Sequence, residues 1–174
     1  GLNLGRVLDN PMKINRKGLQ EAPTILYMQE DLLRSNGGAW DNPPPKVVWG
    51  NLHKSVRDLF IESRDGVPAW GFKDPRTLLT FDGWLEAVPD LKAVGVFRHP
   101  HEVAASLQAR NGFDLSKGYW LWNEYNERLL SYCSQRDIPI MEFTDDAREL
   151  LRSVRVLSEH LGLSKQEDLS FIDV

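Results

Sequence analysis

Five consecutive residues without a polar side chain, Ala93-Val94-Gly95-Val96-Phe97, end abruptly on Arg98-His99-Pro100. The run is too short for a helix and reads as a strand buried on both faces, the kind found in parallel sheets. Pro100 suits the first turn of a helix, and the sequence predicts one from there to about Arg110. A buried strand that feeds straight into a helix is half of a βαβ unit, and this restricts the chain more than any other stretch does.

The surrounding pattern extends that reading. Apolar residues at Ile25, Leu26, Met28, Leu32 and Leu33 predict a helix from about Thr24 to Ser35, stopped by Gly37-Gly38. Three prolines, Pro43 to Pro45, break the chain before a second helix, expected from Lys46 to Ser63 with Val48, Leu52, Val56, Leu59 and Phe60 as its inward stripe. Val67 to Phe72 is expected as a strand and Thr77 to Val88 as a short helix. Leu115 to about Ser134 reads as a long aromatic-rich helix and Ile138 to Phe143 as a third strand. Thr144 or Asp145 is placed to cap a last helix striped by Ala147, Leu150, Leu151, Val154, Leu157 and Leu161. The expected fold class is therefore α/β, a parallel sheet flanked by helices, with ligands bound beyond the carboxyl ends of the strands.

Composition narrows the partners. The 174 residues are enough for a single domain with one core. A net charge of −4 gives no overall attraction to nucleic acid, so any anion site must be local. One cysteine, Cys133, cannot form an internal disulfide, and no apolar run approaches the roughly 20 residues that span a bilayer. These features and the lack of a visible signal peptide suit a cytoplasmic protein. The opening on Gly1-Leu2-Asn3-Leu4-Gly5 and the ending on Phe171-Ile172-Asp173-Val174 read as those expected of a chain cut at both ends.

Two strand ends carry the polar groups of interest. After Val96-Phe97 come Arg98 and, two turns into the following helix, Ser106. A planar fork of donors beside a hydroxyl and a helix N-terminus is a good pairing for a phosphate. After Gly71-Phe72 come Lys73-Asp74-Pro75-Arg76, two cations around one carboxylate.

Val96-Phe97-Arg98-His99-Pro100-His101-Glu102-Val103-Ala104-Ala105-Ser106-Leu107 resembles the 3′-phosphate-binding motif of the sulfotransferase family, an Arg-x-Pro turn with a serine eight residues after the arginine. Lys73-Asp74-Pro75-Arg76 is similar to the segment that bacterial members carry on the preceding strand. Asn15-Arg16-Lys17-Gly18-Leu19-Gln20-Glu21 resembles their Asn-x-x-Gly-x-x-Glu stretch, so the likeness runs in order along nearly the whole chain. The resemblance implies a three-layer αβα fold of the P-loop NTPase type. It also implies transfer of a sulfuryl group from 3′-phosphoadenosine 5′-phosphosulfate (PAPS) to a hydroxyl or amine of a small-molecule, lipid or carbohydrate acceptor, without a metal. Arg98 and Ser106 would hold the 3′-phosphate, and Lys73 or Arg76 would supply positive charge to the developing oxyanions. Asp74 would be the base or would simply orient its two cationic neighbours. Phe143 stands where relatives place an aromatic near the adenine, in Glu142-Phe143-Thr144-Asp145 rather than their Arg-Tyr-Glu-Asp. Relatives open with a Gly-Thr-Ser loop that cradles the 5′-phosphosulfate, which would place that loop upstream of Gly1 or mark a member that has lost it.

Other readings of the same residues stand beside this one. Arg98 with Ser106 can be a structural pair, Lys73 to Arg76 a buried ion-pair turn, and Phe143 a core aromatic. His99-x-His101 lacks a third metal ligand, and His53 is expected to face solvent. Tyr119, Trp120, Trp122 and Tyr125 read mainly as core, with some rings available to an acceptor pocket. Arg148, Arg152 and Arg155 form a basic edge on the last helix, either solvated or turned to an acidic acceptor such as a sulfated or uronic sugar. At the level of function, a P-loop nucleotide kinase is the rival enzyme class and a degenerate binding domain the non-enzymatic one.

Overall fold

Pro23 needs no hydrogen-bonded N–H in the first turn of α1 (Pro23–Ser35), and the predicted stripe is the one the helix buries: Ile25, Leu26, Met28, Leu32 and Leu33, with Gln29 among them. Each fully buried aliphatic side chain in such a stripe contributes about 1.5–3 kcal/mol. The helix ends at Asn36, whose amide accepts from the Val48 N–H and donates to the Leu32 and Val48 carbonyls, so the stop is also a tie to the next segment. The structure is a computed structural model that describes residues 2–8 and 19–163. It divides into two compact units, Leu2–Leu91 and the chain from Lys92 onward.

In the first unit α2 (Asn51–Glu62) departs from expectation twice. It begins five residues later than Lys46, because the stretch after Pro43 to Pro45 stays non-helical up to the Gly50 N-cap and brings Trp49 against Trp84. Its buried face is His53, Arg57 and Phe60, whereas Val48, Leu52 (71% exposed) and Leu59 lie on the surface. Arg57, 4% exposed, hydrogen-bonds the Gly83 carbonyl of α3 (Thr77–Ala87), pairs with Asp58 at 2.8 Å and stacks on the Trp49 ring at 5.2 Å. Gly83 must lack a side chain, since a Cβ there would stand 2.2 Å from the Trp49 ring. Around this contact Trp49, Phe60, Trp70, Phe72 and Trp84 form a chain of mostly edge-to-face rings. Val67 to Phe72 is not a strand. Pro68 removes a ladder donor, and only Trp70 forms a bridge, parallel to Asn3.

The second unit contains the α/β element. β1 (Gly95–Phe97) pairs in parallel with β2 (Ile140–Glu142), in the register Gly95 to Ile140, Val96 to Met141 and Phe97 to Glu142. Between them run α4 (Pro100–Asn111) and α5 (Leu115–Gln135), and α6 (Ala147–His160) follows. Gly118 lets α5 approach α4 closely; a Cβ on it would meet the Ala104 backbone at 2.7 Å. Further along α5, Leu129 covers Gly95 and Trp122 donates its indole N–H to the Arg98 carbonyl at 2.8 Å, which seats α5 against β1. The cap of α6 is Asp146, not Thr144 or Asp145; its carboxylate accepts from the Arg148 and Glu149 N–H groups. Of the expected stripe on α6 only Leu157 is buried.

The chain is thus mixed α/β, mostly helical, with a two-stranded parallel sheet among the described residues in place of the three strands expected. No helix among those residues is long and apolar enough to cross a membrane.

Candidate anion-binding site

The β1–β2 register decides what surrounds Arg98. Pairing Phe97 with Glu142, and the Phe143 N–H to Phe97 O bond of 2.7 Å, bring the next residue of each strand side by side. The Arg98 guanidinium accordingly lies 5.2 Å from the centroid of the Phe143 ring, a cation–π contact between two residues singled out from the sequence. Arg98 Nε meets Glu102 Oε2 at 2.5 Å, one turn into α4, and Nη2 meets Asp145 Oδ1 at 3.4 Å. Two of its three nitrogens therefore face carboxylates. The Arg98 side chain is 36% exposed and both carboxylates are more so, and ion pairs of that kind contribute only about 0–1 kcal/mol. An anion with better geometry can replace them at little cost.

Ser106 is exposed on α4, one turn beyond Glu102, so residues 98, 102 and 106 are spaced at successive turns. Arg98 and Ser106 are not in direct contact; Glu102 occupies the turn between them. At the start of α4 His99 accepts the His101 N–H on Nδ1, and His101 Nδ1 lies 2.7 Å from the Tyr119 hydroxyl. These two histidines serve a helix cap and a hydrogen bond to α5. Among the described residues no group of three or more His, Cys, Asp or Glu is placed to hold a metal ion.

Lys73, Asp74 and Arg76 belong to the other unit and form a closed network there. Arg76 pairs with Asp74 at 3.0 Å, Glu21 at 3.3 Å and Glu30 at 3.0 Å, while Lys73 reaches Glu21 at 3.1 Å and donates to the Leu19 carbonyl. Burial alone would lower the pKa of the Arg76 guanidinium, but Asp74, Glu21 and Glu30 outweigh it and the net displacement is upward. The Asp74 side chain is fully buried, and its Oδ1 accepts from both the Arg76 backbone N–H at 2.8 Å and the guanidinium. Its Oδ2 has no hydrogen-bond partner, nor does Arg76 Nε. This is the ion-pair turn weighed from the sequence, and its geometry is that of a carboxylate orienting its neighbour. Glu21, which ends the Asn15 to Glu21 stretch, was not linked to this cluster by sequence reasoning. Asn15 to Gly18 lie outside the described residues.

Several further expectations meet a different outcome. His53 is buried rather than solvent-facing, with Nε2 3.0 Å from Asp31 Oδ2 and Nδ1 without a partner. Tyr119 and Trp120 are 40% and 42% exposed and Trp122 and Tyr125 are half-buried, so no ring of the aromatic run is fully buried. Burial raises the Cys133 thiol pKa, which disfavours the thiolate. No protein-family model, curated protein or solved structure matches the chain.

Proposed function

We propose that the chain is part of a PAPS-dependent sulfotransferase, with Arg98 and Ser106 binding the donor's 3′-phosphate and Phe143 packing near the adenine. The observation that carries this reading is the juxtaposition of Arg98 and Phe143 at the carboxyl end of a parallel strand pair, with α4 starting two residues later. It supports the motif reading because a phosphate site at a strand end wants a fork of donors, a helix N-terminus and an apolar backing, and all three come from neighbouring residues. The β1–α4–α5–β2 order with parallel pairing also supports the finer expectation, a three-layer fold of P-loop type.

In the reaction proposed, an acceptor oxygen or nitrogen attacks sulfur, the bond from sulfur to the bridging phosphate oxygen breaks, and the acceptor's proton passes to a base. Adenosine 3′,5′-bisphosphate leaves. Positive charge from Lys73 or Arg76 and the carboxylate of Asp74 belong to the same proposal. Full burial of the Asp74 side chain supports its orienting role over that of base.

The test is a thermal-shift comparison of adenosine 3′,5′-bisphosphate with adenosine 5′-monophosphate, which differ by the 3′-phosphate alone. The bisphosphate is expected to raise Tm further, and Arg98→Ala to abolish the difference. Equal shifts with the two nucleotides, or an Arg98→Ala protein that still separates them, would refute the assignment.

A further inference from the structure

The last helix presents a second cationic surface, distinct from Arg98. At about 100° per residue, Arg148, Arg152 and Arg155 fall within an arc of roughly 60° on α6, spread over about 10 Å of its length. Leu157, the one buried residue of the helix, lies about 180° from Arg148 by the same geometry, so the arginines are turned away from the core. All three are exposed, and among the described residues none of their guanidinium groups is paired. Leu151, Val156 and Glu159 border them on the same open helix face. Unpaired arginines at successive turns repel one another, a cost of a few tenths of a kcal/mol per pair that an anionic ligand would reverse.

We infer that this face binds a short acidic oligosaccharide, with carboxylates or sulfates met by arginines at one-turn intervals. Three observations select that class. The arginines span a length suited to two or three anionic groups, and the acidic run Glu142, Asp145, Asp146 and Glu149 near the N-terminal end of α6 would repel a longer polyanion such as a nucleic acid. α6 carries no Phe, Tyr or Trp to stack a base. Leu151 and Val156 flank the arginines at roughly 60–80° on either side, as rails for the apolar faces of sugar rings. A membrane would need a broad apolar face, and on α6 the face that holds Leu157 is turned inward. The helix also starts two residues after Asp145, which meets Arg98, so the arginine row and the proposed donor site share one end of α6. Calling the oligosaccharide an acceptor rests on the sulfotransferase reading; its binding does not.

Titration calorimetry at low salt with a tetra-uronate, a neutral tetrasaccharide, inorganic sulfate and phosphatidylserine vesicles tests the inference. The tetra-uronate is expected to bind and the neutral sugar not to. Changing Arg148, Arg152 and Arg155 together to Gln should weaken binding at least about tenfold, and changing them to Lys should recover part of it, since lysine keeps charge without the fork. A control with Arg6, Arg34 and Lys46 changed to Gln removes the same charge elsewhere and should stay within about twofold. Equal loss in the control, equal binding of the neutral sugar, competition by sulfate as strong as by tetra-uronate, or arginine-dependent capture by vesicles alone would each overturn it. A chain that binds tetra-uronate but not the bisphosphate keeps this surface and loses the donor reading, and the reverse result loses only the surface.

Discussion

Arg76 and Arg98 each stand just ahead of a helix, and each faces carboxylates, yet the two units use them in opposite ways. Arg76 is 14% exposed and paired with three carboxylates, one of them wholly buried. Arg98 is 36% exposed, meets two carboxylates that water also reaches, and rests against an exposed ring. Burial makes the first arginine part of the fold, because removing it strands charge in a place water cannot enter. Exposure leaves the second exchangeable, because its partners lose little when a ligand takes their place. A motif read as residue types alone treats the two as equivalent.

The sharpest way to break this contrast is to remove each guanidinium in turn. Arg76→Met should destabilise the protein by about 3–5 kcal/mol, the range for uncompensating one member of a buried ion pair, since Asp74 would keep its buried charge without a partner and Glu21 would retain only Lys73. Arg98→Met should cost no more than about 1 kcal/mol. Urea unfolding of the two variants measures both. Comparable losses would mean that the Arg98 pairs are as structural as those of Arg76.

A smaller effect sharpens the contrast from the other side. Glu102 competes with any anion for Arg98, so Glu102→Gln should tighten binding of adenosine 3′,5′-bisphosphate by a few-fold while changing stability by about 0.5 kcal/mol or less, the scale of an exposed pair one turn apart. Unchanged or weaker binding by calorimetry would instead make Glu102 a positioning residue that holds the guanidinium in place.

The same distinction explains what was legible in the sequence. The stripe on α1 was legible because every apolar position in it is buried and Gln29 is the one polar residue among them, so period and burial nearly coincide. On α2 they part. Leu52 and Leu59 look like core and are not, while His53 and Arg57 are buried because Asp31 and the Gly83 carbonyl, 22 and 26 residues away, satisfy them. Periodicity carries no information about a distant hydrogen-bond partner. Arg98 and Phe143 were each singled out by local motifs, and their contact follows from a parallel register that alternation alone could suggest but not fix. Glu21 had a weaker signal, the glutamate that closes the Asn-x-x-Gly-x-x-Glu stretch, and only the fold shows it between Lys73 and Arg76.

Aspartates at helix starts repeat the contrast at its smallest scale. Asp74 holds the Arg76 N–H just ahead of α3 from a buried position, whereas Asp114 caps α5 from an exposed one, accepting the Lys117 N–H at 2.7 Å and the Ser116 hydroxyl at 2.7 Å. The backbone bond from Lys117, then the Ser116 hydroxyl, hold the Asp114 pKa below its ordinary value. A carboxylate depressed in the folded state adds stability that is fully present above its unfolded pKa of about 3.9 and is lost as pH falls through the folded one. The wild-type protein should therefore lose a small increment of Tm across that acidic window that Asp114→Asn does not lose, while at pH 7 the variant should melt slightly lower. Asparagine still caps a helix, so the Tm difference isolates the charge from the cap geometry. A wild-type to variant difference that stays constant from pH 7 to pH 3 would show that charge at this exposed cap contributes nothing beyond the cap geometry that asparagine also supplies.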